Sequence, residues 1–254
     1  MRILLTNDDG IFAPGLLAMY KVLAEDAKVD VVAPQAVHSG GSHSITIRHP
    51  LLWQRASVND VFSGAGVEGT PADCVKLALN VLLDEKPDLV VSGINAGLNT
   101  GINVIYSGTV AAAIEAAMMG LPAVAVSLQF SQDMDFDYAA RIAKPIIRQL
   151  VPHGLGPGQV CNINIPEMRP DWPRGVCVAP QSTRQIVDAF ERRTDPNGRE
   201  YYWLSGDYTN LDDDVDTDRL TLREGYICVT PLQFNMTDNA LLEDMRHWSW
   251  PDVT

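Results

Sequence analysis

Along residues 1–166, short apolar runs alternate with amphipathic ones. Residues 2–6 (RILLT) are an apolar run that stops at the polar turn Asn7-Asp8-Asp9-Gly10, the pattern of a buried strand and its loop. Leu16, Leu17, Met19, Tyr20 and Leu23 recur at helical spacing, with Pro14 placed for the first turn. Residues 29–33 (VDVVA) read as a second strand stopped by Pro34, and residues 35–44 as a Gly/Ser-rich loop. Short strands are expected between 44 and 62 around Pro50. Thr70 and Pro71 start a helix that should run to about residue 83. Residues 88–92 (DLVVS), 123–127 (AVAVS) and 160–165 predict further strands. Helices are predicted over 110–119 and 135–151. Strands that alternate with helices imply right-handed crossovers and a mainly parallel sheet with helices on both faces, an α/β fold of Rossmann-like type.

The rhythm changes after Pro166. Strand-like runs at 175–179, 200–204 and 226–230 lie between Pro, Gly and Asp clusters, and a short helix is expected over 239–246. Residues 1–166 thus read as a catalytic core. Residues 167–254 read as a β-rich, antiparallel or extended arm that continues the same domain and ends in Trp248-Ser249-Trp250-Pro251. Such an arm gains most by burying its apolar residues on another subunit, so residues after about 230 are expected to cross to a partner in a homodimer or larger assembly.

Charge narrows the partners. Lys and Arg number 19 against 32 Asp and Glu, a net −13 in 254 residues. That balance argues against a nucleic-acid polymer or an anionic membrane as partner, and a small anionic substrate would need a local cationic device. No apolar run approaches the roughly 18 residues of a membrane span, and residues 1–9 lack a secretory h-region. The four cysteines, 74, 161, 177 and 228, form no CxxC pair or zinc spacing, so a reduced, cytoplasmic protein is expected.

Three loops carry candidate chemistry. Asp8 and Asp9 follow the first strand, where two adjacent carboxylates repel unless a cation such as Mg²⁺ or Mn²⁺ takes their oxygens. A solvated Asp-Asp-Gly turn is the plain alternative. The loop Ser39-Gly40-Gly41-Ser42-His43-Ser44 offers hydroxyls after the second strand. The stretch from Ser92 to Thr109 carries Gly93, Gly97 and Gly101, the amides of Asn95 and Asn99, and Ser107-Gly108-Thr109 at a helix start. Unpaired N–H groups and the positive dipole end at such a start bind phosphate without Lys or Arg. All three loops leave the same edge of one sheet, which is the equipment for metal-assisted phosphate ester hydrolysis.

The blocks LLTNDDGI (4–11), Ala33-Pro34 with Ser39-Gly40, GTPADC (69–74), SGINxGxNxG (92–101), YSGTVAAA (106–113), YYWL (201–204) and Gly225-Tyr226 with TPL (230–232) resemble the SurE family, the survival-protein nucleotidases. The resemblance implies a metal-dependent phosphatase of nucleoside 5′- and 3′-monophosphates, extending to short-chain polyphosphate, with one Mg²⁺ or Mn²⁺ per subunit. It places the metal on Asp8, Asp9, Ser39 and Asn95, and gives Asp8 and Asp9 the catalytic roles. The phosphate falls to Asn99, Ser107, Gly108 and Thr109. Dimers and tetramers built by exchanged C-terminal segments are implied too. Phe12 stands where many members have His, and Gln35 where Asp is common.

Other readings are weaker. Gly64-Ala65-Gly66-Val67-Glu68-Gly69 spells GxGxxG, but not in the first strand–helix turn that a dinucleotide fold requires. An aspartyl-phosphate enzyme needs one residue between its two acids, and Asp8 and Asp9 are adjacent. The acidic run 212–218 lacks the Gly and Glu of a calcium loop and reads as a solvated segment. No GxSxG is present. A metal-stabilised nucleotide-binding module would need the same residues as the phosphatase, and only turnover separates the two.

Overall fold

The computed structural model describes residues 1–184, 188–206 and 216–253. The chain opens with β1 (Arg2–Thr6), α1 (Pro14–Leu23), β2 (Lys28–Pro34), β3 (Trp53–Val58) and β4 (Phe62–Val67). α2 (Pro71–Leu77) begins at a capping box in which Thr70 and Asp73 satisfy each other's backbone N–H groups. Its chain continues to Leu82 as a π-helical turn, so the α-helix itself is shorter than the apolar pattern predicts. β5 (Leu89–Ala96), α3 (Gly108–Met118), β6 (Ala123–Leu128), α4 (Phe136–Leu150) and β7 (Val160–Ile165) complete the alternating part.

Beyond it come β8 (Val176–Val178), β9 (Asp188–Thr194), β10 (Glu200–Gly206), α5 (Asp218–Arg223), β11 (Ile227–Leu232) and α6 (Asn239–Arg246). β9 and β10 form a separate antiparallel pair, the antiparallel piece expected of this half. β8 and β11 behave differently. β11 pairs antiparallel with β7 and β8 parallel with β11, so both extend the central sheet.

That sheet has nine strands in the order β3-β4-β2-β1-β5-β6-β7-β11-β8. Leaving aside the antiparallel edge strand β3, the run β4-β2-β1-β5-β6-β7 is parallel and has the strand order of a doubly wound nucleotide-binding sheet. Chain direction across the sheet reverses between β1 and β5, and such a reversal opens a ligand crevice at the carboxyl ends of the strands.

Alternation along each strand splits the core in two. Ile3, Leu5, Val91 and Val126 pack with Leu16, Met19 and Ile147 of α1 and α4. Leu4, Val90, Ala123 and Ala125 pack with Val75, Val110 and Ala113 of α2 and α3 on the other face. The glycines of the GxGxxG string serve packing: a Cβ at Gly64 would lie 2.7 Å from the Val31 carbonyl oxygen, so glycine lets β4 close on β2. No helix among the described residues is long and apolar enough to cross a membrane.

Candidate functional site

The turn after β1 is held by its own first residue. The Asn7 side chain accepts from the Gly10 N–H at 3.2 Å and donates to the Gly10 carbonyl at 2.9 Å. This presents Asp8 and Asp9 at the crevice between β1 and β5. Asp8 is buried, with 3% of its surface exposed. Its Oδ1 accepts the Thr109 hydroxyl from the first turn of α3. Burial, with the Asp9 charge adding to it, pushes its pKa up to about 6 against the hydrogen bonds from Thr109. Asp9 is half-buried, its carboxyl also raised by burial, and its Oδ2 accepts from the Ala96 N–H at 3.1 Å.

The other loops are tied to these acids. The His38 N–H donates to the Asp8 carbonyl at 2.8 Å, so the loop bearing Ser39 runs beside the first one. Ser39 itself is exposed. The Ser42 hydroxyl donates to the Ile105 carbonyl at 2.8 Å and fastens that loop to the segment before α3. Asn95 lies on β5 just past a register irregularity between Ser92 and Asn95, after which pairing with β6 resumes. The predicted strand ends at Ser92, and this resumption is why the observed one reaches Ala96. The Asn95 amide nitrogen donates to the Gly97 carbonyl at 2.8 Å, which fixes its oxygen on the opposite side.

The phosphate-site candidates are more occupied than the sequence suggests. The Ser107 hydroxyl oxygen caps α3 by accepting from the Val110 N–H at 3.1 Å. Thr109 turns its hydroxyl and backbone N–H to Asp8. Asn99 is buried, its side chain donating to the Ser127 hydroxyl at 2.9 Å. Gly108 stands where a Cβ would come within 2.9 Å of the Asp8 Cβ and 3.0 Å of its Oδ2. The α3 N-terminus therefore approaches Asp8 more closely than any other residue would allow.

Sequence reasoning passed over several residues. Asn162 and Asn164 of β7, Ser127 of β6 and Asp218 are all fully buried polar groups. For the three strand residues the only signal is a polar letter inside an apolar strand. Asp218 was read as part of a solvated acidic run, and the structure corrects this: its carboxylate accepts from the Gly101 N–H at 2.8 Å and the Ser182 N–H at 3.0 Å. Residues 212–215 of that run lie outside the described residues. Of the two departures from the family pattern, Phe12 is exposed, and the Gln35 amide donates to the Gly66 carbonyl at 3.1 Å.

The donor chemistry fits a hard divalent cation. Two carboxylates, an amide oxygen and a hydroxyl are all oxygen donors. Both carboxylates accept from neutral donors, Asp8 from the Thr109 hydroxyl and Asp9 from the Ala96 N–H. Among the described residues no three His, Cys, Asp or Glu gather into a metal cluster, so neutral oxygens would complete the coordination.

Comparison with known proteins gives concordant results. A family model described as Survival protein SurE matches residues 3–188. A Rhodopirellula baltica protein named 5′-nucleotidase SurE is 48% identical over 250 residues, covering 98% of this chain and 99% of that protein. One of the same name from Christiangramia forsetii is 43% identical over 253 residues, 98% and 97% of the two chains. The crystal structure of the SurE protein from Aquifex aeolicus superposes with a TM-score of 0.84 at 33% identity, covering 97% of this chain and 99% of that one.

Proposed function

The chain belongs to the survival protein SurE family, and on that premise we propose that it is a divalent-metal-dependent nucleotidase, releasing phosphate from nucleoside 5′-monophosphates. Activity on 3′-monophosphates and short-chain polyphosphate, a cytoplasmic location and assembly as a homodimer or homotetramer belong to the same reading. The observation that carries it is the buried Asp8, seated under the α3 N-terminus with Asp9 next to it, the two carboxylates accepting from neutral donors among the described residues.

Asp8, Asp9, Ser39 and Asn95 would hold one Mg²⁺ or Mn²⁺. The chemistry such an ion would supply there is Lewis-acid polarisation of a phosphoryl oxygen and a lowered pKa for a nearby water. Asp8 has one carboxylate oxygen committed to Thr109, and the other orients the attacking water and takes its proton. Asn99, Ser107, Gly108 and Thr109 line the phosphoryl side. The Asn99 amide, the Ser107 hydroxyl proton, the Gly108 N–H and the positive end of α3 would meet the charge that develops on its oxygens. Thr109, whose hydroxyl and N–H go to Asp8, would act through that carboxylate. The test is phosphate release from a panel of phosphate esters, with EDTA and then with Mg²⁺ or Mn²⁺ restored. Turnover that survives EDTA overturns the metal assignment. Binding of nucleotide without any turnover would favour the alternative of a metal-stabilised binding module.

A further inference from the structure

We propose that Asn162 and Asn164 are positioning residues for the reaction, acting through Asn99; this rests on the nucleotidase reading, in which Asn99 contacts the phosphoryl group. Asn164 grips the Asn99 peptide at both ends, accepting its N–H on Oδ1 at 2.8 Å and donating to its carbonyl at 3.1 Å. Asn162 donates to the same carbonyl at 2.7 Å. Ser127, which faces Asn164 across the β6–β7 ladder, receives the Asn99 side-chain amide. Three buried side chains from two strands thus fix one residue of a loop flanked by Gly97 and Gly101.

Stability alone does not call for this arrangement. A parallel strand covered on both faces is ordinarily apolar. β7 instead carries two asparagines with no exposed surface, and the Asn162 Oδ1 is buried without a hydrogen-bond partner among the described residues. An amide kept at the expense of an unpaired oxygen is a local inconsistency of the kind that marks a functional requirement. What it supplies is a fixed direction for the Asn99 amide, and a transition-state donor must be held within a fraction of an ångström to be effective.

The experiment is a double-mutant cycle. Asn99→Ala and Asn162→Ala should each lower kcat about tenfold or more with KM changed less than about threefold, and the double variant should be no worse than Asn99→Ala alone. A merely structural role would lower the melting temperature and multiply the two losses. Asn164→Ala removes both grips and should match Asn99→Ala; if it fails to fold, the Asn162 cycle decides. Binding of inorganic phosphate in the presence of Mn²⁺, measured by calorimetry on the same variants, reads the clamp without turnover. A wild-type protein that binds phosphate but releases none from AMP overturns the nucleotidase reading and leaves the binding cycle to decide the clamp. Wild-type kcat and phosphate affinity in Asn162→Ala, additive losses in the double variant, or no phosphate binding by the wild type would each overturn it.

Discussion

In the proposed reaction Asp8 and Asp9 act through charge in a confined place. Asp9→Asn keeps an acceptor for the Ala96 N–H, and Asp8→Asn keeps one for Thr109. Each variant should retain its circular dichroism spectrum while losing most phosphate release, and a fully active Asp9→Asn enzyme would defeat the metal assignment. Gly108→Ala is the complementary case. Alanine favours a helix, yet its Cβ would press on the Asp8 carboxylate at 2.9–3.0 Å. Overpacking of this kind costs about 1–3 kcal/mol, and here the strain falls on the carboxylate proposed to be catalytic. Activity should therefore fall much further than the urea midpoint. Glu115 titrates in a different setting. It is buried in α3, where the His43 hydrogen bond and the Lys76 ammonium hold its carboxyl below the ordinary 4.5. A carboxyl depressed in the folded state contributes stability that is present above the ordinary value and is lost as pH falls through the depressed one. Unfolding followed from pH 6 to pH 3 should show that acid loss, and Glu115→Gln should flatten it.

At the level of elements, the loop from Gly97 to Gly101 is anchored at its far end by Asp218. Asp218→Ala would leave two buried N–H groups unpaired, at a cost of about 3 kcal/mol, readable as a lower urea midpoint. Most strands and helices were legible in the sequence because apolar runs of the right length sit between Pro, Gly and Asx turns. β1 and β7 match the predicted bounds, and α3 and α4 fall within two residues of theirs. What escaped has physical reasons. β9 (DAFERRT) is exposed over 189–194 and more than half charged, so it has no burial pattern to read. α5 hides inside an acidic stretch. In the candidate site, the acids, glycines and Asn95 stand out because turns and strand ends attract notice. Asn162 and Asn164 do not, since their role depends on a loop more than sixty residues away.

Across the whole molecule, much apolar surface is left outside the core in the C-terminal part of the chain. α6 buries none of its residues, Trp248, Trp250 and Phe234 are exposed, and Tyr201, Tyr202, Trp203 and Leu204 stand out on β10. Light scattering at micromolar concentration should give a mass of at least twice the 27.8 kDa of one chain, and a monomer mass would refute the proposed assembly. Truncation before Phe234 leaves β11 intact, so assembly should weaken before phosphate release does. The order in which the clamps lie along the chain has a consequence for biosynthesis. A chain emerging from the ribosome displays Asp8, Asp9 and Asn95 early, yet the amides that hold Asn99 follow at 162 and 164, and the carboxylate that anchors Gly101 only at 218. On the proposed reading the earliest residues of the site must wait for later ones to be translated, so an unfinished chain would carry the acids without the fixed cradle and would be inactive in the nucleotide pool around it.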